Sequence, residues 1–286
     1  MVARRIWNAL LTGISMVQLG YAQIPASSPD APHYETVSNV TSPLSIGYII
    51  FPGFTPLDVF GPLELLFQLS GTIPLTLSTI SFTTGPVGAR SPRPFTQYPS
   101  PTPFDPIHVL NPQIIATHTF ATAPPLDVII VPGGTGDFVL DNANDTSIEH
   151  FLASRFEAAQ YVLSVCVGAT TLARAGLLSG RRATTNKRAW AWATHPRHGE
   201  NITWVPNARW VEDGKVWTSS GVAAGIDMMW AFIGHLWGEE VANRTVNGVE
   251  YTPHADKRWD AFAVVHDVPG ADRNKSLTDC VRPAGW

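Results

Sequence analysis

Three short apolar runs, Ser45–Phe51 (SIGYIIF), Leu126–Val131 (LDVIIV) and Tyr161–Val165 (YVLSV), each end abruptly at a turn. They are too short for helices and fit the usual strand length of about 5–6 residues. They lack the polar–apolar alternation of a strand with one wet face, so they belong in a parallel sheet covered on both sides. Between and after them, Leu57–Leu69, Ser147–Ala159 and Gly225–Trp237 carry apolar residues at helical spacing, and Val241–Asn247 extends the last after a bend. Strand and helix in alternation predict an α/β domain. Ligands of such sheets bind at the carboxyl ends of strands, where the strand order reverses. The loops after Phe51, Val131 and Val165 are three such ends.

The remaining segments are less regular. Leu75–Phe82 reads as another strand. The proline-rich stretch Thr83–Pro125 is expected to hold a strand pair, with pieces near Pro106–Leu110 and Ile114–His118. Arg182–Thr185, Ile202–Val205, Arg209–Glu212 and Val216–Thr218 are short and β-like, and Asp213-Gly214 between the last two marks a hairpin. Pro62 is expected in the first turn of its helix, where a missing N–H costs little.

The chain has 286 residues, 44% hydrophobic, with a net charge of -4. That suits one large domain, placed at 44–245 with a C-terminal extension 246–286, and gives no basic surface for nucleic acid. At the N-terminus a positive segment, MVARRIW, precedes the apolar Leu10–Leu19 and the small residues of Gly20-Tyr21-Ala22. Residues 1–22 therefore read as a secretory signal peptide, too short for a membrane span, and 23–43 as a flexible lead-in. Acceptor sequons at Asn39, Asn144, Asn201, Asn243 and Asn274 agree with a secreted glycoprotein without a stable membrane anchor. Cys166 and Cys280 are the only cysteines, which excludes a disulfide scaffold; each is expected to be free. No His/Cys metal spacing, phosphate loop or dinucleotide fingerprint is present, so neither metal nor cofactor is expected.

Cys166 stands where the strand Tyr161–Val165 turns into a helix. A thiol there lies among unpaired backbone N–H groups and at the positive end of the helix dipole, both of which favour thiolate. Gly168, two residues on, lets the chain turn sharply, as in a nucleophile elbow. The competing reading is a small buried hydrophobe. Gly133 and Gly134, with the amide of Val167, are placed to stabilise charge on a substrate atom, although a plain turn also explains Pro132-Gly133-Gly134. Asp58 is the candidate acid–base partner, preferred to Glu64 because it lies nearer the end of Ser45–Phe51. Its rival role is a helix cap. None of the nine histidines is placed beside Cys166 by spacing, and His195-Pro196-Arg197-His198 reads as a surface loop. Trp190 and Trp192 suit either pocket or core.

Taken together, FTPLDVFGPLELL, VIIVPGG, SVCVGATTLARAGLLSGRRATTN and ARWVEDGKVWTSSGVAAGIDMMWAFI resemble the PfpI/ThiJ superfamily, with its class I glutamine amidotransferase-like fold, from about Ser45 to Trp237. The chain looks closest to the isonitrile hydratase-like branch and to the amidotransferase-like domains of AraC-type regulators, and no helix-turn-helix region follows. The resemblance implies a flavodoxin-like three-layer sandwich with a mostly parallel sheet, often a homodimer. It also implies a nucleophile at Cys166, an acid at Asp58, backbone donors at Gly134 and Val167, and a small-molecule substrate. In hydratase relatives the thiolate attacks the terminal isonitrile carbon to give a thioimidate, which water hydrolyses to an N-substituted formamide. Glyoxalase- or deglycase-like chemistry, amide hydrolysis and a redox-sensing thiol are the alternatives for the same cysteine. The chain departs from those relatives at Val167, where they commonly have threonine, and at Asn186, where they often have histidine.

Overall fold

The run at Ser45 becomes β1 (Leu44–Ile49), buried along nearly its whole length in a sheet that extends from both its sides. The computed structural model describes residues 43–92 and 108–274. The segment 1–22, nearly all of the lead-in, Asn39, Cys280 and part of Pro106–Leu110 lie outside the described residues. On one side β1 pairs in parallel with β2 (Leu75–Ser81), which pairs with β5 (His118–Thr119) at the edge. On the other it pairs with β6 (Val128–Val131), followed by β7 (Tyr161–Ser164) and β11 (Val216–Ser219), all parallel. Within this sheet only β10 (Trp210–Asp213) runs antiparallel, at the far edge; β8 (Arg182–Ala183) and β9 (Thr203–Trp204) pair in parallel apart from it, with α5 (Trp190–Ala193) between them in the chain. The chain thus builds outward from β1 in one direction and then returns to build in the other. The reversal puts the switch point between the carboxyl ends of β1 and β6.

Helices flank this sheet. α1 (Pro56–Ser70) packs with α6 (Ala224–Trp237) and α7 (Glu239–Gly248), and α6 also touches β11. α4 (Gly168–Arg174) rests on β6 and β7 and meets α3 (Ser147–Arg155). The fold is the α/β domain expected from the alternating pattern and the flavodoxin-like sandwich that the resemblance implies.

Several expectations are refined. Gln113–Ala116 (β4) pairs antiparallel with Gly85–Gly88 (β3), so the strand near Ile114 exists but its partner lies upstream rather than at Pro106–Leu110. The Asp213-Gly214 hairpin forms with Asp213 opposite Val216, and Gly214 takes the positive φ of 59° that a glycine-first two-residue loop needs. The helix α2 (Thr135–Asn142) has no counterpart in the sequence reading. Residues 246–274 are no appendage: Trp259 and Asp260 are buried, and Ala263 and Val268 pack with Trp190.

Pro62 does not sit in the first turn. Pro56 begins α1 and Pro62 lies well inside it. A proline cannot donate to the carbonyl four residues back, here that of Asp58. The hydroxyl of Tyr48 on β1 donates to that carbonyl instead, at 2.5 Å. A core tyrosine therefore replaces the bond the helix lacks, and it does so at the residue that carries the candidate acid.

Candidate active site

Cys166 follows β7 and Val165 with φ +60°, the left-handed region that β-carbon sterics disfavour. Two glycines make the turn possible. A β-carbon on Gly168 would lie 2.5 Å from the Val131 carbonyl oxygen, and one on Gly133 would lie 2.7 Å from the Val167 nitrogen. The loops after β6 and β7 are therefore in backbone contact. The Thr185 hydroxyl donates to the Cys166 carbonyl at 3.0 Å and holds the elbow from the far side. This is the nucleophile-elbow geometry, and it explains the small residue two positions after the cysteine.

The thiol is 5% exposed. Asn186 donates from Nδ2 to Sγ at 3.0 Å, and is itself fixed because its Oδ1 accepts the Ala189 amide at 3.0 Å. The Val167 amide also hydrogen-bonds the sulfur. No histidine fills this role: the side-chain partner is an amide, at the position noted as a departure. Asp58 is fully buried, and the N-cap of α1 is Thr55, so Asp58 is not the cap. Its Oδ2 accepts the Gly133 amide at 2.9 Å, its Oδ1 is buried without a hydrogen-bond partner, and its charge acts on the Cys166 thiol. Glu64 is exposed on the same helix and accepts from Gln68 Nε2.

A third acid was not singled out from the sequence. Asp137, in the first turn of α2, is buried; its Oδ1 accepts the Thr171 hydroxyl at 2.9 Å and its Oδ2 has no hydrogen-bond partner. The available signal was positional, since both Asp58 and Asp137 fall in the first turn of a helix that follows a strand-end glycine. The Gly134 amide hydrogen-bonds the Asp137 carboxyl. Both glycine amides expected to face a substrate are thus directed at carboxyl groups. Gly134 is also demanded by packing, since a β-carbon there would lie 2.2 Å from the Gly53 carbonyl oxygen.

Electrostatics at this corner oppose the expected low thiol pKa. Burial pushes the Cys166 thiol well above its ordinary range, and the charges of Asp58 and Asp137 add to that; the Val167 and Asn186 donors pull the other way and lose. Burial likewise raises Asp58 well above the carboxylate range, against the Gly133 amide. Asp137 is raised to about 7, chiefly by burial. Burial thus favours the protonated form of all three groups.

Other expected features fall elsewhere. His195, Pro196 and Arg197 are exposed, but His198 is buried against Trp192 and lies 3.4 Å from Asp141, so one residue of that loop belongs to the core. Trp192 stacks on Phe138 and Trp190 packs edge-on to Trp204. Of the described sequons, Asn144, Asn201 and Asn274 are exposed, whereas Asn243 is half-buried and accepts from the Trp230 indole. Among the described residues no cluster of histidine, cysteine and acidic side chains is arranged to hold a metal ion, and no helix is long and apolar enough to cross a membrane.

A buried cysteine on a strained elbow after β7, beside the switch point of a flavodoxin-like sheet and near a buried acid from the helix after β1, makes a cysteine-centred candidate site. The DJ-1/PfpI family profile matches residues 112–235. An isonitrile hydratase from Pseudomonas putida is 33% identical over 215 residues, covering 73% of this chain and 79% of that protein. The chain belongs to the DJ-1/PfpI family. A ThiJ/PfpI family protein from Pseudomonas syringae superposes with a TM-score of 0.59 at 26% identity, over 85% of this chain and 86% of that one. An AraC family transcriptional regulator from Pseudomonas putida shares the fold, with a TM-score of 0.57 at 14% identity over 72% of this chain and all of the other.

Proposed function

We propose that this protein hydrates a small isonitrile to an N-substituted formamide. The strained elbow at Cys166, whose sulfur receives the Asn186 amide at 3.0 Å and feels the charge of the buried Asp58, carries the reading, and the 33% identity to an isonitrile hydratase supports it. An isonitrile carbon accepts both a nucleophile and a proton. Sulfur forms the C–S bond while a proton reaches the same carbon, giving the thioimidate R–N=CH–S–Cys166. Asp58, kept protonated by burial, is the acid that delivers or replaces that proton. Water then adds to the thioimidate carbon, the C–S bond breaks, sulfur recovers its proton, and R–NH–CHO leaves. The amides of Val167 and Asn186, both aimed at sulfur, stabilise the charge that gathers there in each step. Valine in place of threonine at 167 removes a hydroxyl but keeps the backbone donor.

The test is direct. Mature protein incubated with an alkyl isonitrile should release the formamide, followed by mass spectrometry, and Cys166→Ala and Asp58→Asn should each lower the rate by at least about a hundredfold. Turnover that survives in Cys166→Ala would sink the reading. Exposed Leu57, Phe60 and Phe67 on α1 support a homodimer, which a monomeric mass in solution would overturn. Exposed Asn144, Asn201 and Asn274 support secretion as a glycoprotein, which an unglycosylated intracellular product would overturn.

A further inference from the structure

Lys187 is a buried amine, 2% exposed, that the proposed reaction leaves unused. It ends a run of four residues that are each bonded to the surroundings of the elbow. The Thr184 amide donates to the Thr218 hydroxyl of β11 at 2.9 Å, the Thr185 hydroxyl to the Cys166 carbonyl at 3.0 Å, and the Asn186 side-chain amide to the Cys166 sulfur at 3.0 Å. Lys187 completes the run: its Nζ donates to the Ala208 carbonyl at 2.8 Å and to the Thr184 hydroxyl oxygen at 2.6 Å, and lies 4.8 Å from the centre of the Trp190 ring. The anchor at Ala208 is itself held. Its neighbour Arg209 donates its backbone N–H to the Lys257 carbonyl at 2.9 Å and its Nε to the buried Asp227 at 2.6 Å, and its carbonyl accepts the Ser220 amide at 2.8 Å. Burying an amine whose acceptors are both neutral is costly, so a residue that only filled this space would be apolar.

We propose that Lys187 is a positioning residue for Asn186: by tying the chain to Ala208 one residue beyond Asn186, it sets where the Asn186 amide stands against the Cys166 sulfur. Thr185 fixes the chain on the other side of Asn186, so the amide is held between two anchors. The bond from the Ala189 amide to Asn186 Oδ1 orients the side chain, whereas these two anchors place the backbone that carries it. The inference rests on the proposed hydration for its purpose, since Asn186 there stabilises charge on sulfur, and not for its test.

The experiment is a double-variant cycle read by the rate of Cys166 alkylation with iodoacetamide at fixed pH, in protein carrying Cys280→Ser so that one thiol reports. Lys187→Met keeps the length of the side chain and removes its donors, while the Ala208 carbonyl retains the Thr184 hydroxyl at 3.3 Å. In the parent it should slow alkylation about tenfold, the lower end of what a hydrogen bond to a charged group supplies. In Asn186→Ala it should change the rate by less than about twofold, because the contact it serves is already gone. Equal slowing in both backgrounds, which a merely structural role would give, overturns the proposal, and so does an unchanged rate in the parent. Where Lys187→Met does not fold, Thr184→Val removes one of the two acceptors and decides by the same comparison, with a smaller slowing in the parent. Formamide release by the parent is followed separately: its absence would defeat the hydration reading, while the alkylation cycle alone decides the role of Lys187.

Discussion

Asn186 is the residue whose meaning changed most between sequence and structure. In the chain it is only a departure at a position where the resemblance implies histidine; in the fold its Nδ2 lies 3.0 Å from the Cys166 sulfur. An amide cannot ionise near neutrality, so it lends a hydrogen bond without adding a titration of its own. Asn186→Ala should slow alkylation of Cys166 at fixed pH by roughly ten- to a hundredfold, since a hydrogen bond to a charged group contributes about 1.5–3 kcal/mol. An unchanged rate constant would mean that the contact does nothing for the thiolate. Asp58 and Cys166 were legible as candidates because each stands at the end of an apolar strand. That the thiol is raised rather than lowered was not legible, because desolvation and the Asp137 charge come from residues distant in sequence.

Among the elements, α1 shows how a local irregularity is absorbed by its neighbour. Pro62 removes one helical bond, and Tyr48 of β1 supplies the donor at the Asp58 carbonyl. Tyr48→Phe leaves that carbonyl unpaired in the core and should cost about 1–3 kcal/mol, read as a shift in urea midpoint. Adding Pro62→Ala returns a backbone N–H to the same carbonyl, so the double variant should regain much of the loss. If it regains none, the tyrosine is not standing in for the helix bond. The strands and long helices were readable because burial on both faces leaves a plain apolar pattern. Pro62 was misplaced because the proline rule assumes that no outside donor is available. The short helix α2 leaves no apolar pattern because two of its three buried residues are Gly136 and Asp137.

At the scale of the whole molecule, two buried ionisable groups shape the pH dependence of stability. Lys187, bonded to the Thr184 hydroxyl and the Ala208 carbonyl, is lowered to about 7 by burial, while Asp137 is raised to about 7. For Lys187 the unfolded chain binds the extra proton between about 7 and about 10.4, so its contribution to stability rises with pH across that window. For Asp137 the folded chain binds the extra proton between about 3.9 and 7, so its contribution falls as pH rises there. Denaturation midpoints measured against pH should flatten above pH 7 in Lys187→Met and below pH 7 in Asp137→Asn; unaltered slopes would contradict these assignments. By itself the sequence determined the sheet, the elbow and the candidates for nucleophile and acid, because hydrophobic periodicity and a cysteine at a strand end are local signals. Only the tertiary structure decided what touches them. Gly133 reaches Asp58 across the reversal of strand order between β1 and β6, Asn186 reaches Cys166 from the segment after Ala183, and neither proximity leaves a local trace in the chain.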